Sequence, residues 1–573
     1  MRTGNYFTGN ADLVLAFDRL IPWDRVVPLV EGPGANVADT VSTWREILSV
    51  AGKYIGTDVA ARAARIDELG VIRDGGRVEM SEPMRADLAG LRDLGLMGAA
   101  IPAEHGGAGL PFTVNAILLE MLARADLATQ VQHGIGYTAP AALIARFGTE
   151  DQKKRYLPRL ASGELMGAVA MTEPQAGSDV GNLSTTAVQE GDHWCLRGRK
   201  QFISAGTGEM VVVLARAVPG STGLDGLALF IVDRANDNYQ VERAEHKFTI
   251  RGSPTCALVF EGSRAEIMGA PGDGWRGILT FMNESRVGVG IQGIGVMQAA
   301  FDAASDYASR RVQMARPIRE HPMVAEMLLD METTIAGARA LALEAAVLQD
   351  RVLFGRDERA GWDLRELTPL VKWYGSEQAV RVTRNALQVH GGYGVVTEYD
   401  VERFFRDSVI TTIYEGTSQI QSLMAVRDLM RAVGRRPASL LRGGPSAMLA
   451  RASFDGALGR DLAAGRGALA GALRRLVGGL VRRKGLGALG ARDLSEEDLR
   501  PYLLHAERIT ATLAHLHVAR ALGEQAKIVP ERRALAERAA RRARLVAQAN
   551  AREIASGDGG VFERIDAWTK ERG

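Results

Sequence analysis

Val211-Val212-Val213-Leu214-Ala215 and Leu227-Ala228-Leu229-Phe230-Ile231-Val232 are two short apolar runs, rich in β-branched and aromatic residues and separated by glycines. Runs of this length and composition, bounded by turn residues, read as buried strands. Around them, over residues 167–270, Trp194, Leu196 and Phe202 stand among polar residues in the alternation expected of half-buried strands. Outside these limits the period is helical. Residues 84–94, 138–147 and 150–160 read as helices before the β region, with a further helix reaching residue 125 after the loop at 101–110. Residues 323–354 and 367–389 read as long helices after it. The pattern predicts a mainly α chain with one compact β domain inserted between helical domains. Val287-Gly288-Val289-Gly290-Ile291 alternates like a strand, although its small residues equally suit a helix packed closely on a neighbour.

The ends add two units. Asn10 is placed to cap a first helix, Gly32-Pro33-Gly34 breaks the chain, and a second helical pattern runs from 37 to 66, giving an N-terminal arm over 1–79. A Pro/Ser/Gly-rich linker at 437–446 opens a C-terminal unit with helical patterns at 498–527 and 531–555. The expected division is 1–79, 80–165, 166–274, 275–435 and 436–573. With 573 residues, 46% of them hydrophobic and 24% charged, the chain can build several cores, and its formal net charge of +2 excludes a globally basic or acidic binding surface. Cys195 and Cys256 are the only cysteines and stand far apart, which argues against a disulfide framework or a zinc site and fits a reducing, cytoplasmic setting. No apolar run is long enough for a membrane span.

The chemistry centres on Thr412-Ile413-Tyr414-Glu415-Gly416-Thr417-Ser418-Gln419-Ile420. Glu415 is one acid among small and apolar residues, with Asp407 and Arg427 the nearest charges along the chain. Such a poorly solvated carboxylate suits the work of a general base. Taken alone, the stretch also reads as a solvated turn. Four other stretches carry weaker signals. Met171-Thr172-Glu173-Pro174-Gln175-Ala176-Gly177-Ser178-Asp179 offers backbone donors and hydroxyls at the helix-to-β boundary. Lys200-Gln201-Phe202-Ile203-Ser204 sets an aromatic ring and a hydroxyl where they can flank a flat cofactor. Arg310-Arg311 can meet a diphosphate. Gln388-Val389-His390-Gly391-Gly392-Tyr393-Gly394 allows close backbone approach at a helix end, without the strand-to-helix context of a dinucleotide-binding fingerprint.

In order and spacing these stretches together resemble the acyl-CoA dehydrogenase family across residues 80–430. Further matching features are Ile101-Pro102 with Gly106-Gly107, Phe147-Gly148-Thr149-Glu150 with Gln152-Lys153, and Arg286. The resemblance implies an N-terminal helical domain, a middle β-barrel and a C-terminal helical bundle, followed here by an extra helical domain. It implies an oxidoreductase in which a carboxylate removes the α-proton of an acyl-CoA thioester while a hydride passes from the β-carbon to N5 of FAD. The product is the trans-2-enoyl-CoA, as in fatty-acid β-oxidation. The base falls on Glu415. Some members carry it instead just before the arginine matching Arg286, where this chain has Ser285, which cannot serve. Glu284, one residue back, points about 100° away on a helix. FAD contacts fall on Val169, Met171, Thr172, Ser178, Phe202 and Ser204. Arg311, and with it His321, match the region that reaches the FAD diphosphate of a neighbouring subunit. Gln388, Gly391 and Gly392 lie along the same diphosphate, and Thr417 and Gln419 near the adenosine half. Ser178, Asn283, Arg286 and Gly416 are implied to meet the acyl-CoA. Three positions depart from the common pattern: Phe202 stands where many relatives have Trp, Met314 where Phe is common, and Val169 where Tyr is frequent.

The C-terminal unit resembles that of longer bacterial members of the methylmercaptopropionyl-CoA dehydrogenase type. Implied partners are an electron-transfer flavoprotein and a second copy of the chain, with a dimer favoured. Residues 466–492 carry Arg474-Arg475 and Arg482-Arg483-Lys484, no acid, and interleaved leucines and valines. This suits a helix lying on a membrane surface or a helix hairpin packed on the core, with glycines that weaken either. Two relatives of the fold remain as alternatives: an acyl-CoA oxidase that passes electrons to O2, and a DNA-binding alkylation-response flavoprotein. Arg532-Arg533 and Arg541-Arg542 with Arg544 bear on the second, although acids interleave with them.

Overall fold

The computed structural model describes residues 4–74, 77–235, 238–435, 446–485 and 495–572. Most of the expected linker at 437–446 and residues 486–492 of the basic stretch lie outside them. The two apolar runs form β6 (Met210–Arg216) and β7 (Leu227–Asp233), paired antiparallel from Met210 opposite Asp233 to Arg216 opposite Leu227. With β3 (Val169–Ala170), β4 (Thr186–Glu190), β5 (His193–Ser204), β8 (Gln240–Ala244) and β9 (Thr255–Met268) they make one sheet. Its order is β3-β6-β4-β5-β9-β7, with β8 on β9. The β6–β7 pairing returns the last strand to the second and closes a barrel.

The runs do not alternate in polarity because both their faces are buried. Val211, Val213, Ala228, Phe230 and Val232 cluster with Leu196, Leu258 and Phe260 of the barrel. Met210, Val212, Leu214, Leu229 and Ile231 cluster instead with Ile144, Leu157 and Phe281 of the flanking helices. Burying each large side chain contributes about 1.5–3 kcal/mol. A hairpin that the sequence did not announce, β1 (Val71–Asp74) with β2 (Arg77–Met80), precedes the N-terminal helical domain.

In the arm, the Asn10 side chain accepts from the Leu13 N–H and caps Ala11–Leu15. Three long helices form the bundle: α1 (Gly274–Arg310), α2 (Pro322–Leu353) and α3 (Glu358–His390). Residues 287–291 lie inside α1, so their strand-like alternation is not a strand. A Cβ on Gly293 would stand 2.3 Å from the Gly375 carbonyl oxygen, and one on Gly375 2.5 Å from that of Gly290. The glycines therefore let α1 and α3 cross at backbone contact. α3 begins nine residues before the expected 367, because Asp357 caps it by accepting from the Ala360 N–H at 3.0 Å. The loop that carries Glu415 follows α4 (Val401–Ile410) and leads into α5 (Ser418–Arg435).

The C-terminal unit corrects one expectation and adds to the others. Residues 498–527 are two helices, Glu496–Leu504 and α7 (Ala506–Ile528), separated at His505. A last helix, Val561–Arg572, follows α8 (Arg533–Ala555). The basic stretch up to Lys484 belongs to one continuous helix, α6 (Gly456–Lys484), despite its glycines. Over 466–484 it packs on the core with its arginines outward, as one of the two expectations had it, rather than lying free on a surface. Its Leu458, Leu462, Leu469, Leu473, Val477 and Leu480 are buried, packed with α7 and α8, while Arg474, Arg475, Arg482 and Arg483 point outward. A membrane contact through 466–484 therefore has no free apolar face. The arginines considered for nucleic acid are largely engaged within the fold: Arg532 pairs with Asp12, Arg533 with Glu537, Arg542 with Asp330 and Arg544 with Asp461. Among the described residues no helix is long and apolar enough to cross a membrane. Cys195 and Cys256 are buried and unpaired.

Candidate active site

Glu415 has φ 55° and Gly416 has φ 86°, so two consecutive residues occupy the left-handed region. For a glutamate this costs roughly 1–3 kcal/mol and persists only where neighbours over-determine it. The Gln421 side-chain amide donates to the carbonyl oxygens of Glu415 at 3.2 Å and Gly416 at 3.0 Å. Ser376 of α3 donates to the Thr411 carbonyl at 2.7 Å, the Ser418 N–H donates to the Thr412 carbonyl, and the Ser418 hydroxyl donates to Glu377. Tyr414 donates to Gln292, which donates in turn to Gln130. Gly416 is required twice over, by its φ and because a Cβ there would meet Gln421 Nε2 at 2.7 Å.

The carboxylate itself accepts from the Ser285 hydroxyl at 2.6 Å. Arg286, only 3% exposed, donates through Nη1 to Asn283 Oδ1 at 2.9 Å, and its Nε has no partner among the described residues. Burial lowers the Arg286 pKa and the Glu415 charge opposes the fall. Lys372 of α3 is also buried here, lowered to about 8 by burial against the charges of Glu415 and Glu377. Glu284 turns away: its carboxylate pairs with Arg146 at 2.6 Å and accepts from Gln349 at 2.8 Å. Burial raises its pKa against the pull of Arg146. In the fold, then, Glu415 is a carboxylate beside two buried cations and one hydroxyl.

The two middle-domain stretches meet. Lys200 Nζ donates to Glu173 at 2.8 Å and to the Met171 carbonyl at 2.9 Å, and the Gln201 N–H donates to the Thr172 carbonyl at 2.9 Å. Glu173 also accepts from the N–H groups of Ser184 and Thr185. Burial works to raise the Glu173 carboxyl, but the Lys200 ammonium and these donors outweigh it and hold it at about 2. Between Lys200 and Ile203 the β5–β9 ladder is interrupted by a bulge, and Phe202 takes φ 61° and stands 62% exposed. Bulges commonly re-aim a side chain beside a site. Val169, Met171, Thr172 and Ser204 are half-buried on this surface and Ser178 is exposed. The barrel is tied to the helix before the Glu415 loop through Asp407 of α4, which accepts from the Ile250 N–H at 2.6 Å and is raised by burial to about 7.

The remaining residues gather elsewhere. Arg311 caps the far end of α1, 25 residues beyond Arg286, which is about 37 Å along the helix. There it lies over the Tyr393 ring, next to the end of α3 where Gln388, Gly391 and Gly392 are exposed. Beyond it β10 (Val312–Gln313) and β11 (Arg316–Pro317) form a short hairpin, against whose Gln313 carbonyl His321 packs at 3.2 Å. A cavity of about 390 Å³ opens at this end, lined by Tyr6, Tyr307, Arg310, His390 and Tyr399, and not at Glu415. Of the loop residues assigned to the adenosine half, Thr417 caps its own turn by accepting from the Ile420 N–H, and Gln419 donates to Glu507 of the C-terminal unit at 2.9 Å.

The surfaces present fit a flavin nucleotide in two parts. An exposed aromatic ring and hydroxyls line the barrel side, and an exposed arginine with two unobstructed glycines suits phosphates at the far end. Ser285 and Lys372 were not legible as members of the site. Ser285 is 130 positions from Glu415, and no local pattern links a serine on one helix to a carboxylate on a distant loop.

Known families match three consecutive stretches: the acyl-CoA dehydrogenase N-terminal domain over residues 44–164, the middle domain over 168–263, and the C-terminal domain over 272–430. An acyl-CoA dehydrogenase of Bacillus subtilis is 35% identical over 340 residues, covering 59% of this chain and 87% of that one. A 3-methylmercaptopropionyl-CoA dehydrogenase of Ruegeria pomeroyi is 32% identical over 453 residues, 74% of this chain and 76% of that one. The crystal structure of an acyl-CoA dehydrogenase complexed with FAD from Bacillus anthracis superposes with a TM-score of 0.76 at 24% identity. It covers 92% of this chain and 90% of that one, so the likeness of fold extends into the C-terminal unit. The chain belongs to the acyl-CoA dehydrogenase family, FAD-dependent oxidoreductases that act on CoA thioesters.

Proposed function

We propose that the protein converts an acyl-CoA thioester to the trans-2-enoyl-CoA, with Glu415 as the base that removes the α-proton. The observation that carries this reading is the strained Glu415 itself, held in the left-handed region by Gln421 and accepting from Ser285. A weakly acidic α-proton needs a base fixed at one place before the substrate arrives, and rigid hydrogen bonds to the loop carbonyls supply that fixity. When bound, FAD supplies the hydride acceptor. Phe202, Thr172 and Ser204 are placed to hold its ring, with Val169, Met171 and Ser178 bordering it. Asn283, oriented by Arg286, and Gly416 border the space where the thioester would lie.

The Arg311 end, with His321, Gln388, Gly391 and Gly392, is assigned to the FAD diphosphate of a second copy, a reading supported by its exposed arginine and unobstructed glycines. The protein is therefore proposed to act as a homodimer at least, and to pass its electrons to an electron-transfer flavoprotein. Purified protein should be yellow and should bleach when an acyl-CoA is added without oxygen. Glu415→Gln should keep the colour and lose the bleaching; retained turnover would remove Glu415 from the role. Peroxide formed at the rate of turnover would assign the electrons to O2 instead. A panel of short, long, branched and aromatic acyl-CoAs would identify the substrate.

A further inference from the structure

Lys372 has no exposed surface, and its Nζ has no hydrogen-bond partner among the described residues. An ammonium in the interior without a partner is costly, and the stem alone could be replaced by methionine at nearly the same volume. The charge therefore calls for a reason, and its surroundings supply one. Four residues on and on the same face of α3, Ser376 donates to the carbonyl of Thr411, where the base loop begins. The neighbouring Val371 meets Gly290 of α1, one turn beyond Arg286. Glu377, the next acid along α3, anchors Ser418 at the other end of the loop. Lys372 thus lies about one helical turn before the two adjacent α3 residues that anchor the loop.

The charged groups that act on it are Glu415 from the loop, Glu377 from its own helix and Arg286 from α1. Further out, Asp407 of α4 acts on Tyr414, and Arg427 of α5 acts on Arg286. Glu415 is the larger of the two anionic influences on Lys372. We propose that Lys372 is a positioning residue for the base: its unpartnered ammonium keeps the Glu415 carboxylate ionised when a bound thioester shuts water out of the site. Desolvation alone would drive that carboxylate to take up a proton from solvent and lose its function, and a fixed buried cation opposes this. The ammonium stays uncommitted because a partner of its own would weaken its hold on Glu415.

This inference rests on the reading of Glu415 as base. The test uses the full-length, flavin-loaded protein with Lys372→Met and Lys372→Gln. Flavin content should be retained and the thermal midpoint should stay equal or rise, since a buried unpaired charge is gone. The acid limb of the pH profile for anaerobic flavin reduction should move to higher pH by about one unit. A merely structural lysine would lower the thermal midpoint and leave the acid limb in place, and an unmoved limb in either variant overturns the proposal. If the wild-type flavin is reduced by no acyl-CoA, the dehydrogenase reading fails instead. Lys372 is then judged by infrared difference spectra, with Glu415→Gln as the blank. Its removal should move the pH at which the Glu415 carboxylate band is lost, and a band that does not move overturns the assignment.

Discussion

The two ends of the α1–α3 pair contrast sharply. At the Arg286 end, the helices cross at backbone contact, the base loop is tied down at Thr411, Thr412, Glu415, Gly416 and Ser418, and the charged groups are enclosed. At the Arg311 end, the hairpin carries Met314 89% exposed at φ 50°, with Val312, Met323, Tyr393 and Val395 also open. One end is complete within a single chain. The other presents apolar and cationic surface together, as an interface does before its partner arrives. Under the proposed function, the chemistry that needs atoms fixed in place falls to the enclosed end, and binding that draws on a second copy falls to the open one.

The largest effect that would test this contrast is at the enclosed end. Glu415→Gln should slow flavin reduction by about 10²–10⁴-fold, the range for a positioned base, with flavin content unchanged; stopped-flow reduction by substrate measures it. At the open end, Arg311→Met should leave the base chemistry intact per bound flavin. It should weaken FAD retention by roughly 10–100-fold, as expected for a lost charge-assisted bond, which dialysis and flavin fluorescence would quantify. A loss of reduction rate per bound flavin would break the division of labour between the ends. Ser285→Ala removes the one hydroxyl on Glu415 and should cost on the order of tenfold or less in the reduction step, with little change in thermal midpoint.

The last test reads stability rather than rate. Lys372 is lowered to about 8 from 10.5, so the folded state holds fewer protons than the unfolded chain between those values. The sign follows: the contribution is fully present above 10.5, and stability is lost as the pH falls through 8, by up to roughly 3 kcal/mol. Lys200 and Lys247, also lowered to about 8 by burial, add in the same direction. Denaturant midpoints compared at pH 7.5 and pH 9.5 should rise with pH, and Lys372→Met should flatten part of the rise.

Much of the architecture was legible because it is written in composition over short windows. The β6 and β7 runs are apolar and glycine-bounded, Asn10 is a capping residue in front of an apolar period, and the order of the loops carries the family. Other features were not legible, for physical reasons. Periodicity reads side chains, so the small residues alternating at 287–291 suited a strand as well as a helix packed closely on a neighbour, and the structure bears out the helix. Their meaning was a gap that Val371 and Gly375 fill. In α6, glycines were expected to weaken the helix, but the burial of six apolar residues against α7 and α8 outweighs a propensity cost of about 1 kcal/mol for each glycine. Arg532 and Arg542 read as a basic surface because their acids, Asp12 and Asp330, lie far away in sequence.

The sequence by itself determined the β insertion between helical domains and the family, and it singled out Glu415 as the candidate base, since each of these rests on local composition or on the spacing of short stretches. Only the tertiary structure decided what surrounds that base. Along the chain Glu415 is a lone acid; in space Ser285, Arg286 and Lys372 converge on it from two helices. Electrostatic and hydrogen-bond energies depend on distance through space, and distance along a folded chain does not report it.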